Sequence, residues 1–510
     1  MLNYIFKLIT IKEVVGSVLI FVGLLAVFSI IWGNRTFSVK TLNQMIFHLK
    51  APADGTDGGI YADWFIKTVP ASFVIVMVTE IILFNLPFKT LHLFLTDHIL
   101  TIGWIVIIMA IVYALYNYQI VGYLFDMIKK TTLYEDHYVD FNKVKITYPK
   151  QKRNLIHIYL ESMENSYLDI ESGGIQQTSY MPELQSLAKD NINFSHNDLI
   201  GGSMTLEGTQ WTVASMVGQE SGIPLLIPFN GKSYTHTSSF LPGVYTIGEV
   251  LEKQGYVNEI MMGSDGDFAC TSNFYRQHGN YKIADYNYFK ENGYIPDDYF
   301  VFWGIEDAKL FKFARKELTE LASNNKPFNF ELVTIDTHTP DGYVCPYCKS
   351  IHKNQYANVI SCQSKQVSDF IEWCKKQSWY ENTTIVITGD HKSMAEKYFK
   401  NVDKNYLRTP YNCFINSAVN KQNTKNRKFS ILDMYPTILA SLGIDIDGDR
   451  LGLGTNLFSN KKTLIEQYGF NKINSEIKKY SSYYQERLVG ETKRKKSKRF
   501  SSYKTKSNKN

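Results

Sequence analysis

The dipeptide Asp390-His391 closes the apolar run Thr384-Ile385-Val386-Ile387-Thr388-Gly389. Two other strand-like runs end in groups of the same kind. Ile156 to Leu160 runs into Glu161, and Phe330 to Ile335 runs into Asp336 and His338. Carboxylates and imidazoles placed just beyond the carboxyl ends of strands can hold a divalent cation, and open α/β sheets gather their ligands at that edge. A fourth stretch, Gly201 to Met216, is dense in glycines and hydroxyls. A helix beginning near Thr209 would aim its first amides at a phosphate. A bound cation would make the Thr209 hydroxyl a competent nucleophile. Thr205 and Thr212 lie near enough in sequence to take the same place after a shift of about one turn.

These residues need a scaffold that brings several strand ends together. From Asn154 onward short apolar runs alternate with helix-like stretches. The runs are Leu155 to Leu160, Val257 to Met262, Phe328 to Ile335, Thr384 to Thr388 and Asn412 to Asn416. The helical stretches are Pro182 to Lys189, Thr246 to Gln254, Glu306 to Ser323, Ala357 to Gln377 and Leu432 to Leu442. This alternation predicts an α/β domain, doubly wound around a mainly parallel sheet, over residues 151–460. Asp433 fits a helix cap and is assigned no chemistry.

The first 125 residues differ in character. Segments 14–33, 64–88 and 99–125 are almost wholly apolar. A hydrocarbon core of about 30 Å takes about 20 such residues as a helix. Three transmembrane helices are therefore expected, without a cleavage site after the first. Residues 126–150 read as a juxtamembrane connector. Residues 461–510 read as a C-terminal extension ending in a basic disordered tail. Of the 55 Lys and Arg, nine fall in 492–510, and the remaining 46 face 49 acidic residues, so the body carries a net charge of −3 although the whole chain carries +6. The tail lacks the interleaved aromatics of a nucleic-acid-binding face, and no nucleic-acid partner is expected. Lys7 and Lys12 favour a cytoplasmic N-terminus, while Arg35, Lys40, Lys50, Lys129 and Lys130 weaken that signal. All six cysteines lie beyond the membrane region, and Cys345, Cys348 and Cys362 crowd one loop. In an oxidising compartment Cys362 can pair with Cys345 or Cys348, which is the preferred reading. The rival is a zinc knuckle that adds His352.

Several segments in order along the chain carry a resemblance. They are Asn154 to Ser162, Gly208-Thr209-Gln210-Trp211-Thr212-Val213-Ala214, Gly222-Ile223-Pro224-Leu225, Asp336 to Gly342, Gly389-Asp390-His391 and Leu451-Gly452-Leu453-Gly454. Together they resemble the alkaline phosphatase and sulfatase superfamily in its membrane-anchored transferase branch. The nearer similarity is to the osmoregulated periplasmic glucan phosphoglycerol transferases; lipoteichoic acid synthases and lipid A phosphoethanolamine transferases are more distant. The resemblance implies an alkaline-phosphatase-like fold and a divalent cation, Mn, Zn or Mg, held by Glu161, Thr209, Asp390 and His391. Thr209 doubles as nucleophile. It also implies a substrate-binding role for His338, with Asp336 beside it. Relatives carry a basic residue near the position of Thr271, and Arg276 and Lys392 are the candidates to replace it. The Cys or Ser followed by Pro and Arg of true sulfatases is not found in this sequence.

The expected function is transfer of a phosphoglycerol group from phosphatidylglycerol to a periplasmic or cell-surface glycan through a phosphothreonine intermediate. The expected setting is a multi-pass protein of a bacterial inner membrane whose catalytic domain faces the periplasm. The partners are then a phospholipid donor and a glycan acceptor. An anchored site gains from its high effective concentration at an insoluble donor. The alternatives are phosphoethanolamine transfer to lipid A or another glycan, and a catalytically inactive glycan-binding scaffold.

Overall fold

The computed structural model describes residues 10–37, 42, 45–46, 58–84, 88–226, 239–420 and 422–490. The basic tail and the loop lysines Lys7, Lys40 and Lys50 lie outside these residues. The chain divides into two compact units, with the second taking over at Met127.

In the first unit, helices α1 (Ile11–Phe37), α2 (Gly58–Phe84) and α3 (Ile99–Asn117) are each long and apolar enough to cross a membrane. Glycines let their backbones approach. A Cβ on Gly16 would sit 2.7 Å from Ile99, and one on Gly103 would sit 2.7 Å from Leu19. Such close approach is how helices associate where burial from water gives no driving force. Glu80, the carboxylate inside the second apolar segment, accepts a hydrogen bond from the Ser17 hydroxyl. The third helix ends earlier than its apolar composition predicts. It stops at Asn117, Gln119 adopts a left-handed φ of 51°, and a separate helix runs from Ile120 to Ile128.

The second unit is built on a six-stranded sheet. Its strands are β1 (Asn154–Leu160), β2 (Val257–Met262), β3 (Lys282–Ala284), β4 (Phe328–Val333), β5 (Thr383–Gly389) and β6 (Asn412–Ile415). The order is β3-β2-β4-β1-β5-β6, parallel except for the last pair. β1, β4 and β5 are buried along their whole length, which is why they read as nearly continuous apolar runs. β1 lies between β4 and β5, so the three strand ends singled out in the sequence are neighbours. The register pairs Leu160 with Gly389. The next residues, Glu161 and Asp390, therefore leave the sheet side by side on strands about 4.8 Å apart. The short β3 was not anticipated.

Helices cover the sheet. Those used below are α4 (Thr212–Ser221), α5 (Asp307–Ser323) and α6 (Gln355–Lys375). Asp433 does act at a helix start, as the third residue of a capping box: its carboxylate accepts from the Ser430 amide at 2.8 Å and from the Thr455 amide at 2.8 Å. Residues 127–150 pack as part of the unit: Val139 exchanges backbone hydrogen bonds with Gly452, and Thr131 donates to Glu476 at 2.7 Å.

Candidate active site

Glu161, Asp390 and His391 converge at the carboxyl edge of β1 and β5, with one ligand atom from each within 4.8 Å of the others. Their side chains are 1–3% exposed. His391 Nε2 is 3.6 Å from Glu161 Oε1 and 3.3 Å from Asp390 Oδ2. The surrounding bonds fix these positions. The Glu161 amide donates to Thr334 Oγ1 at 3.1 Å, and the Thr337 hydroxyl donates to the Glu161 carbonyl. Asp390 Oδ1 accepts from the amides of Ser162 (2.8 Å) and His391 (2.7 Å). His391 Nδ1 donates to the Lys392 carbonyl at 2.9 Å. A carbonyl only accepts, so this bond sets the tautomer and leaves the Nε2 lone pair facing the carboxylates.

The threonine at this site is Thr212. Its hydroxyl donates to Glu161 Oε2 at 3.1 Å and lies 3.4 Å from His391 Nε2. Thr212 opens α4, and the preceding Trp211 is extended and supplies no side-chain cap. The first amides of the helix therefore keep their capacity for an anion. Thr212 is also partly exposed, as a group that must meet a substrate has to be. Thr209, expected as ligand and nucleophile, is placed elsewhere. It is 2% exposed, and its hydroxyl donates to the Leu206 carbonyl at 2.8 Å. A Cβ on Gly218 would lie 3.6 Å from the Thr209 methyl group. Gly218 is six residues beyond Thr212 on the helix, about 9 Å along its axis. The helix begins three residues later than expected, because the chain turns at Gly208 (φ 73°) and stays extended through Trp211.

The other expected site residues separate. His338 borders the trio: its charge acts on Glu161, and its Nδ1 donates to the Thr339 carbonyl at 2.9 Å. Asp336 turns away, because its amide donates to Asp307, the first residue of α5, at 3.0 Å. Both oxygens of its buried carboxyl group lack a hydrogen-bond partner. Burial and the neighbouring Asp307 push the Asp336 carboxyl up to about 10, so it is neutral at physiological pH. Lys392 contributes the carbonyl that orients His391. Arg276 is exposed in the last turn of the helix Thr271–Gln277.

Sequence reading missed two features. One is an aromatic border beside His338. Trp303 packs edge-on against the His338 ring with centroids 5.0 Å apart, Phe268 lies 5.7 Å from Trp303, and Phe302 lies 6.3 Å from His338. The other is an ion pair under the His391 turn. Arg408 donates to both oxygens of the fully buried Glu164, at 2.8 and 2.5 Å, and to the Ser393 carbonyl at 2.6 Å. Sequence offered no signal for the aromatic border. For the ion pair it offered only that Glu164 follows closely on Glu161.

The electrostatics fit a cation. Burial alone would raise Glu161, but the charges of His391 and His338 and the Ser162 hydroxyl outweigh it and hold this carboxyl below its ordinary value. Burial and the adjacent Glu161 push Asp390 well above its own. Asp390 Oδ2 is buried without a hydrogen-bond partner. Two carboxylates, a fixed imidazole and a hydroxyl form a donor set suited to Zn, Mn or Mg.

An open α/β sheet with such a set at the carboxyl edge of its central strands defines the metallohydrolase-like class of the alkaline phosphatases. The family model described as Sulfatase matches residues 153–444, more than half of the chain, and the chain belongs to that family. It is 32% identical over 327 residues to phosphoglycerol transferase I of Escherichia fergusonii, covering 62% of this chain and 40% of that protein. It is 31% identical over 335 residues to phosphoglycerol transferase I of Salmonella choleraesuis, covering 64% and 42%. The chain thus matches about two fifths of the length of these curated relatives. Among solved structures, it is similar to the integral membrane lipooligosaccharide phosphoethanolamine transferase A of Neisseria meningitidis, at 12% identity and a TM-score of 0.49, covering 84% of each chain.

Proposed function

We propose that this protein transfers a phosphoglycerol group from phosphatidylglycerol to a glycan outside the cytoplasm, through a covalent intermediate on Thr212. The observation that carries this reading is the Thr212 hydroxyl at the uncapped start of α4, bonded to Glu161 and flanked by His391. The phosphoglycerol transferases among its relatives support the choice of head group.

Glu161, Asp390, His391 and the Thr212 oxygen would hold the cation, which when bound stabilises the alkoxide and offsets phosphate charge. Thr212 Oγ1 forms a bond to phosphorus, and the ester bond to diacylglycerol breaks. The hydroxyl proton has Glu161 Oε2 as its acceptor at 3.1 Å. Diacylglycerol leaves with a proton on its oxygen. A sugar hydroxyl then attacks the same phosphorus, and Thr212 recovers its proton. The α4 amides orient the phosphate oxygens. His338 and the ring of Trp303 border the space left for the glycerol. The three apolar helices keep this chemistry at an inner-membrane surface, with the catalytic unit on the periplasmic side.

Incubating membranes with head-group-labelled phosphatidylglycerol, and separately with labelled phosphatidylethanolamine, tests the reading. Label from the glycerol lipid is expected in glycan, with none from the ethanolamine lipid. The reverse pattern would make this a phosphoethanolamine transferase, and no transfer from either would refute the proposal.

A further inference from the structure

Three sulfurs meet in the loop that follows the His338 segment. Cys345 Sγ lies 3.6 Å from Cys348 Sγ and 3.6 Å from Cys362 Sγ, and all three lie within 4.8 Å of one another. None is in a disulfide, and all six cysteines of the chain are free. The sequence-based preference for pairing Cys362 with Cys345 or Cys348 is not what the structure contains. Cys345 sits equally far from both candidate partners, so the three sulfurs form a cluster with no single bonded pair.

We infer that Cys345, Cys348 and Cys362 form a second metal site, separate from the Glu161 trio, that takes a soft divalent cation of the zinc type. The spacing is the first argument. Zinc–thiolate bonds of about 2.3 Å in a tetrahedron place the sulfurs about 3.8 Å apart. The two short edges here, 3.6 Å each, are close to that length. The loop geometry is the second. Cys345 and Cys348 are joined by a tight turn in which the Cys348 amide donates to the Cys345 carbonyl at 3.0 Å. The amides of Tyr347 and Cys348 also act on the Cys345 sulfur, as suits a thiolate held at the start of a Cys-x-x-Cys turn. Gln366, one turn past Cys362 on α6, points its amide nitrogen at Cys362 Sγ (3.4 Å) and Cys345 Sγ (3.8 Å). Donors of this kind orient metal-bound ligands from behind. The third is charge. Cys345 pushes the buried carboxyl groups of Asp307 and Asp336 upward, a crowding of negative groups that a dication relieves.

Cys345 and Cys362 are buried and Cys348 is partly exposed. Cys362 and Gln366 line an open groove of about 1110 Å³, so water can complete the four-coordination. The site ties the loop behind His338 to α6, and its role is to brace that loop.

The full-length protein, purified in detergent without reductant, provides the test. Titration with an organomercurial is expected to release one equivalent of zinc, detected by a chromophoric chelator. Cobalt-substituted protein is expected to show a near-ultraviolet thiolate-to-cobalt charge-transfer band, which oxygen and imidazole ligands do not produce. The Cys345→Ser/Cys362→Ser variant is expected to lose that band and one equivalent of metal while keeping the metal of the Glu161 trio. Should this variant fail to fold, the wild-type titration and spectrum decide alone. A disulfide among the three cysteines in peptide mapping, or three thiols that titrate without metal release, would overturn the inference.

Discussion

Replacing Thr212 and Thr209 separately by alanine gives opposite signatures. The described hydrogen bond lost with the Thr212 hydroxyl is the one to Glu161, at a partly exposed position. Its effect on folding is therefore small, about 1 kcal/mol. Loss of the nucleophile leaves only binding and electrostatic contributions, so turnover should fall at least about 10⁴-fold, or about 5 kcal/mol of barrier. Thr209→Ala removes a buried bond to the Leu206 carbonyl and a packed methyl group. That costs about 1–3 kcal/mol of stability. The apparent Tm should fall by about 2–4 °C for each of these. Turnover per folded molecule should stay within about threefold, less than 1 kcal/mol. Head-group transfer from phosphatidylglycerol, normalised to folded protein, and thermal unfolding by intrinsic fluorescence read the two effects. Thr212→Ser, which keeps the oxygen, should retain measurable transfer. A Thr212→Ala enzyme with more than about a tenth of wild-type turnover, or a Thr209→Ala enzyme that is fully stable but inactive, would refute the assignment.

Two further perturbations test the scaffold. Arg408→Ala leaves the buried Glu164 carboxylate without its counter-ion and should destabilise the unit by about 3–5 kcal/mol. Adding Glu164→Gln should recover part of the loss in denaturant unfolding. Glu331, buried in β4 beside Glu220, is pushed up to about 7, chiefly by burial. Between its ordinary value of 4.5 and about 7 the folded state holds the extra proton, so stability falls as pH rises through that window. Glu331→Gln should flatten this slope by up to about 3 kcal/mol, measured by unfolding at pH 5 and pH 8.

The strand ends were legible because a strand buried on both faces reads as an unbroken apolar run, and Glu161, Asp390 and His391 follow such runs directly. β3 escaped because three residues carry too little pattern to be seen. The threonine was misplaced for a physical reason. Helix starts favour a side-chain cap, and Thr209 suited that role, yet the helix begins after an uncapped Trp211 because the uncapped amides face the site. The end of the third apolar helix was equally hidden, since hydropathy continues past the break at Tyr118–Gln119. Asp336 showed the limit of spacing. It follows a strand end as Glu161 does, but its backbone is claimed by Asp307 from α5, a long-range contact that no local pattern encodes.

The most direct measurement is to supply phosphatidylglycerol without a glycan acceptor, quench, and sequence the peptides by mass spectrometry. One phosphoglycerol group on the peptide containing Thr212, localised to that residue, is the predicted result. The group on Thr209, or unmodified peptide under conditions where diacylglycerol is released, would contradict the account.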